Sequence, residues 1–208
     1  MSSPVARANR HSDPHRPIQK YSESDLEMLL EGVKDPLILV LDGLQDPHNL
    51  GACLRTADCA GVDLVIITKK RSASVNETVK RVACGGAESV KIVLANNLRN
   101  TLDKLKGMGV WIAGTSDHKT SQSLYASKLT GPLALVMGAE GEGMRHLTGV
   151  TCDFLVQIPM HGVVPCLNVS VATGVCLFEA VRQRRGKKGE NFSGMKRVAI
   201  RKELSLRN

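Results

Sequence analysis

The chain has 208 residues, enough for one domain of ordinary size or one domain with a small appendage. With 42% hydrophobic and 23% charged residues it has the balance of a soluble globular protein. No run approaches the ~18 consecutive apolar residues of a membrane-spanning helix. The formal charge is +8, and its location matters more than its size. From Arg182 to Asn208 ten Lys/Arg face Glu190 and Glu203, so the tail carries the whole excess and the preceding residues are neutral. A neutral body with a basic tail suits a protein that meets a polyanion such as a nucleic acid, because each neutralised phosphate releases counterions. The bland alternative is a solvated terminus.

In chain order, residues 1–20 are rich in Ser, Pro, Arg and His and almost free of apolar residues, which predicts disorder and no secretory signal. Ser22 to Gly32 reads as a short helix, with serine caps, acids in its first turn and a glycine stop. Strand-like apolar runs follow at Leu37–Leu41, Leu64–Thr68, Val90–Leu94, Val110–Ala113, Leu133–Met137 and Phe154–Ile158. Helical patterns lie between them at about 49–60, 74–83, 97–107, 120–127 and 143–149, with a long one at 167–184. Continuous apolar strands separated by helices predict one α/β domain, a parallel sheet covered on both faces. Six cysteines at 53, 59, 84, 152, 166 and 176 form no C-x-x-C pair. Their spacing argues against zinc and against a disulfide framework, and predicts reduced thiols in a cytosol.

Ligands of open α/β sheets bind beyond the C-terminal strand ends. Polar, glycine-rich stretches collect there: Asp42–Gly51, Gly114–Ser116, Gly138–Gly143 and Pro159–Gly162. The Gly138–Gly143 loop has G-x-x-G-x-G spacing on the fifth strand and holds Glu140 and Glu142, which fits a dinucleotide fingerprint poorly. It lets backbone approach a ligand closely, or it is a tight turn capped by acids. No G-x-x-x-x-G-K-[ST] is present, so a P-loop NTPase is excluded. Asn49, taken alone, reads as a helix cap. Arg55, among small and apolar neighbours, calls for a carboxylate or phosphate partner. Pro165-Cys166 resembles a nucleophile motif of cytosine-5 RNA methyltransferases, but their early glycine-rich loop is missing, which favours a small buried thiol. Asn168 opens the last long helix as a cap, and Val175–Val181 offers an apolar face wide enough for a subunit interface.

Taken together these stretches resemble one family. Asp46–Gly51 with Arg55, then Met137–Met144, then Ile158–Met160 and Leu167–Ala172 are similar to the three ordered motifs of the SpoU (TrmH-type) RNA ribose 2′-O-methyltransferases. The resemblance runs from about Tyr21 to Arg185. Val82–Glu88 and Cys176–Arg182 look most like the bacterial branch that methylates a guanosine ribose in the peptidyl-transferase region of large-subunit rRNA. It implies a methyltransferase domain over 21–185 followed by a basic tail over 186–208. It also implies a C-terminal deep trefoil knot (the SPOUT fold) and a homodimer through the knot region and C-terminal helix.

S-adenosylmethionine would be held by Gly138, Ile158 and Leu167, with Thr115 and Met160 as pocket neighbours, and no metal is implied. Asn49, Arg55, Glu140 and Asn168 would form the catalytic set. Arg55 would clamp the 3′-phosphate of the target and assist deprotonation. Cys166 stands where the family has a serine, and a thiol is the weaker hydrogen-bond donor. The family's closer members carry an N-terminal RNA-binding domain of the ribosomal-protein L30 type. The 36 residues ahead of the first expected strand are too few for it, which implies a catalytic-domain form or RNA capture by the tail. The resemblance therefore implies a cytoplasmic enzyme acting on large-subunit rRNA. The alternatives are a tRNA ribose methyltransferase or a non-catalytic RNA-binding or ribosome-assembly protein on the same fold.

Overall fold

A computed structural model describes residues 17–139 and 143–186. Among these residues eight strands form one sheet in which every pairing is parallel. They are β1 (Lys20–Ser22), β2 (Leu37–Leu41), β3 (Leu64–Thr68), β4 (Ile92–Ala95), β5 (Trp111–Thr115), β6 (Gln122–Ser123), β7 (Leu133–Met137) and β8 (Phe154–Gln157). The spatial order is β1-β4-β3-β2-β7-β5-β8-β6. The chain walks outward from β2 to β4, then crosses to the other side, and β7 is inserted between β2 and β5. That reversal of direction is the switch point at which open sheets place their ligand crevice.

Alternation along the strands sorts the core into two layers. Leu39, Leu41, Val65, Ile67 and Leu135 face one side, with α2 (Pro47–Ala60), α3 (Glu77–Ala83), α4 (Gly86–Ser89) and α7 (Val169–Gly186) packed over them. Ile38, Val40, Ile66, Ile112 and Val136 face the other, under α1 (Leu26–Leu30), α5 (Leu98–Gly107) and α6 (His146–Thr151). The expected parallel sheet with helices on both faces is therefore the observed one.

Three local expectations are corrected. The helix expected over 120–127 is instead the two-residue strand β6, paired to β8 through Gln122 and Val156, followed by a 3-10 turn over Leu124–Ala126. The helix expected from Ser22 begins as a 3-10 turn over Glu23–Asp25, with α1 after it. Residues 1–16 of the segment expected to be disordered lie outside the described residues. Its last two residues already join the sheet, since Gln19 accepts from the Ile92 amide at 3.0 Å and Lys20 opens β1. The basic tail from residue 187 also lies outside.

The long helix α7 is tied to the body by a polar network. Glu179 accepts from Arg182 through both carboxylate oxygens at 2.8 Å and from Gln183 at 2.9 Å. Gln183 in turn donates to Ser127 O and accepts from the Leu129 amide, each at 2.9 Å. The Arg182 hydrogen bond holds the Glu179 carboxyl below its ordinary value, against the opposing effect of burial. A depressed folded-state pKa adds stability that is present at neutral pH and lost as pH falls through it. Glu179→Gln should therefore lower Tm by roughly 2–4 °C at pH 7, about 1 kcal/mol given the exposure of Arg182. The gap to the wild type should narrow in acid melts as pH falls through the lowered Glu179 value.

Candidate functional site

The site is built from the C-terminal ends of β2, β7, β5 and β8 and from the N-terminal ends of α2 and α7. Helix α2 starts earlier than the sequence suggested. Asp46 is its N-cap, accepting from His48 N at 3.0 Å and Asn49 N at 3.2 Å, and Pro47 occupies the first turn. Asn49 is consequently not the cap. Its side chain, largely buried, turns toward α7 and accepts from Asn168 Nδ2 at 3.0 Å.

Asn168 does serve as a cap and does more. Its Oδ1 accepts from Ser170 N at 2.9 Å and Ser170 Oγ at 2.6 Å, while its Nδ2 reaches across to Asn49. One amide thus starts α7 and locks it to α2, 119 positions away in sequence. The same seam continues inward: Cys53 Sγ lies 3.5 Å from Thr173 Oγ1, both buried, and Gly174 backs onto Thr56. Burial pushes the Cys53 thiol up to about 11, with the Thr173 hydrogen bond acting against it, so this sulfur stays a protonated packing atom.

Arg55 lies farther along α2, facing α3 and α4 rather than α7. Of the two partners expected for it, a carboxylate or a phosphate, no carboxylate is found among the described residues. Its guanidinium is exposed and donates through one terminal nitrogen to Cys84 Sγ at 3.5 Å. Cys84 ends α3 with φ +48°, and Gly85 follows with φ +90°. That double left-handed turn folds α4 back so that Gly86 sits on the Arg55 backbone. A Cβ at Gly86 would come within 2.8 Å of Arg55 Cα, so only glycine fits. Arg55 is a cation with a held backbone and an open head.

The β7 loop leaves the sheet at Gly138. A Cβ there would collide with the backbone of Gly143 and Met144, so glycine is what lets the loop close on itself. Ala139 and Gly143 exchange both backbone hydrogen bonds, at 3.0 and 2.9 Å, in an antiparallel bridge. Glu140 lies outside the described residues. Thr115, ending β5, donates its hydroxyl to Val136 O at 3.0 Å and is half-buried. Ile158 and Leu167 are half-buried at the two ends of the loop between β8 and α7, while Met160 and Cys166 are exposed within it. Cys166 is therefore not the buried thiol that the sequence favoured.

One feature of the site escaped the sequence reading. Asp42, immediately after β2 and 1% exposed, accepts from Arg145 Nε at 2.7 Å and Thr148 Oγ1 at 2.7 Å, and also pairs with the second Arg145 nitrogen. This buried carboxylate pins the far end of the 138–143 loop to the central strand. An acid directly after an all-apolar strand was the available signal, but its partner, 103 positions away, was not legible. Among the described residues no group of three or more His, Cys, Asp or Glu could hold a metal ion, and no helix is long and apolar enough to cross a membrane.

Comparison with known proteins matches residues 36–178 to the model of the SpoU rRNA Methylase family. The chain belongs to the SpoU rRNA methylase family. Among curated relatives of this SpoU methylase, the 23S rRNA (guanosine-2′-O-)-methyltransferase RlmB of Pectobacterium atrosepticum is 59% identical over 168 residues. The match covers 81% of the chain and 68% of the relative. RlmB of Escherichia coli K12 is 57% identical over 169 residues, 81% and 69% of the two lengths. Of solved structures, the SpoU methyltransferase AviRb from Streptomyces viridochromogenes, in complex with AdoMet, superposes with a TM-score of 0.68 at 28% identity. The aligned part covers 74% of the SpoU chain described here but only 62% of AviRb. The A. aeolicus TrmH/SpoU tRNA modifying enzyme superposes with a TM-score of 0.68 at 33% identity, covering 80% and 85%.

Proposed function

We propose that the protein transfers a methyl group from S-adenosylmethionine to the 2′-hydroxyl of a guanosine ribose in 23S rRNA. The observation that carries this reading is the coupling of Asn49 to Asn168 beyond the strand ends at the switch point of the sheet, with Arg55 exposed on the same helix as Asn49. The identity to RlmB supports the rRNA guanosine as substrate.

The residues present fit the cofactor. Gly138 forms a cradle that a Cβ would fill, and Ile158, Met160 and Leu167 bring neutral, apolar surface and main-chain groups to the strand ends. No lysine or arginine stands among these positions to repel a sulfonium. Gly138, Ile158 and Leu167 would hold the cofactor through main-chain groups, with Thr115 and Met160 beside it. When bound, it supplies an electrophilic methyl on a good leaving group.

What is left to the protein is orientation and the proton. A guanidinium is a poor base, so Arg55 works as a charge: it holds the 3′-phosphate of the target nucleotide and favours the alkoxide form of the 2′-hydroxyl, whose proton leaves to solvent at this exposed position. Asn49 and Asn168, each holding the other, give the hydroxyl a rigid hydrogen-bonding partner. Glu140 would hold Arg55 or shape the loop, and Cys166 takes the place of a hydroxyl beside Leu167. The domain spans 21–185, the chain passes through a trefoil knot between β7 and α7, and it acts in the cytoplasm. Two copies pair through the knot loops and α7, where Val163, Val164, Val171 and Phe178 are exposed.

The test is transfer of labelled methyl from S-adenosylmethionine to unmodified 23S rRNA, followed by alkaline hydrolysis. A 2′-O-methyl group blocks strand cleavage, so label is expected in an alkali-resistant dinucleotide. Label released in mononucleotides would place the methyl on a base and overturn the ribose reading.

A further inference from the structure

We infer that Lys69, Lys70, Arg71 and Arg81 form a cationic rim that carries the RNA backbone flanking the modified nucleotide. This rests on the RNA-methylation reading and adds to it the face on which the RNA lies. Although the body of the chain is neutral, its charges are sorted. Residues 69–81 hold five Lys/Arg against Glu77, whereas residues 22–35 hold five acids against Lys34. The two stretches pack on opposite faces of the sheet, α3 over Leu39 and Leu41 and α1 over Ile38 and Val40. Positive charge therefore accumulates on the face that also carries Arg55.

The rim is built into the site rather than hung from the surface. Lys69 N donates to Ala95 O at 2.7 Å and Ala73 N to Leu44 O at 2.8 Å, bracketing the loop after β3. Thr68 Oγ1 accepts from Gly43 N at 3.1 Å and bonds Ser72 Oγ at 2.6 Å. The loop is thus strapped onto the turn that leads into α2 and Asn49. Arg71 adopts φ +61°, a left-handed conformation that brings its carbonyl close to Gly43. On α3, the Arg81 carbonyl accepts from Cys84 Sγ, the same sulfur that receives the Arg55 guanidinium. All four rim side chains are exposed. Among the described residues none of them has an ion-pair partner, whereas Lys80 on the same helix pairs with Glu77 at 2.7 Å. Exposed, unpaired cations on the loop strapped to the turn before α2 and on the helix packed against α2 have one partner chemistry in common, the phosphodiester backbone.

The experiment uses the full chain and an unmodified 23S rRNA transcript titrated over a series of salt concentrations. Two double variants remove rim charge, Lys69→Gln/Lys70→Gln and Arg71→Asn/Arg81→Gln, with asparagine chosen because it tolerates positive φ. Arg99→Gln/Lys104→Gln on α5, over the opposite face, removes the same charge as a control. Each rim variant is expected to bind the transcript roughly tenfold more weakly at about 0.15 M salt, with the log–log salt slope reduced by about 1.5. The α5 variant should keep the wild-type values, and S-adenosylmethionine affinity should be the same in all. Equal losses in rim and control variants would mean that net charge alone acts, and the rim falls. The two readings fail separately. Absence of alkali-resistant label with wild-type protein overturns methylation, whereas label with unchanged rim slopes overturns the rim.

Discussion

Arg55→Ala is expected to lose methyl transfer by a factor of about a hundred or more while binding S-adenosylmethionine as the wild type does. The size of the loss follows from what the arginine contacts. Among the described residues its head group holds only a cysteine sulfur, a weak acceptor, so no fold-stabilising ion pair is lost with it. In the proposed role the cost falls on the charge that develops at the ribose oxygen and on the phosphate that positions it, interactions realised in the transition state. Cofactor affinity should not move, because the residues proposed to hold it, Gly138, Ile158 and Leu167, follow β7, follow β8 and precede α7, away from the α3–α4 side of α2. Arg55→Lys keeps the charge but not the planar fork, and should recover only a minor part of the rate. Single-turnover transfer and calorimetric titration of the cofactor separate the two effects. A mutant retaining more than about a tenth of the rate would remove Arg55 from the chemistry.

The parts of this fold that could be read in the sequence are those decided by local pattern. Leu37–Leu41, Leu64–Thr68 and Leu133–Met137 were legible to the residue because each strand is buried on both faces and shows an unbroken apolar run. β1 and β6 were not. Both lie at sheet edges, are two or three residues long and mostly polar, and exist because β4 and β8 offer backbone groups to pair with. The start of α2 was legible in principle, since Asp46-Pro47 is a cap followed by proline at the first helical position. Reading Asn49 as the cap turned its side chain toward its own helix and so hid its partner on α7.

The site shows the same division. Residue types and loops at the strand ends could be read from chemistry. The Asn49–Asn168 bond, the turn of Arg55 toward Cys84 and the Asp42–Arg145 pair depend on contacts between elements far apart in sequence, which no spacing rule encodes.

The Asp42–Arg145 pair yields the second large effect, on stability and cofactor affinity together. Arg145→Met keeps the aliphatic bulk but leaves the Asp42 carboxylate buried with Thr148 as its remaining side-chain donor. An uncompensated buried charge costs about 3–5 kcal/mol. Because Arg145 itself is 44% exposed, water can reach part of the gap, and the low end applies. A loss of about 3 kcal/mol lowers Tm by roughly 6–12 °C in a domain of this size. Asp42→Asn in the Arg145→Met background should restore part of it, since an amide needs no counter-charge and can still accept from Thr148. The loop from Gly138 to Arg145 is anchored by β7 at one end and by this pair at the other. Releasing the second anchor should weaken S-adenosylmethionine on the order of tenfold through lost preorganisation, even at temperatures where the protein stays folded. Thermal melts of both variants, with cofactor titrations well below Tm, check the two consequences independently. A melting point within about 2 °C of the wild type would show that the Asp42 charge is satisfied without Arg145. A normal cofactor affinity despite a lowered Tm would show that the bridge between Ala139 and Gly143 holds the loop without its second anchor.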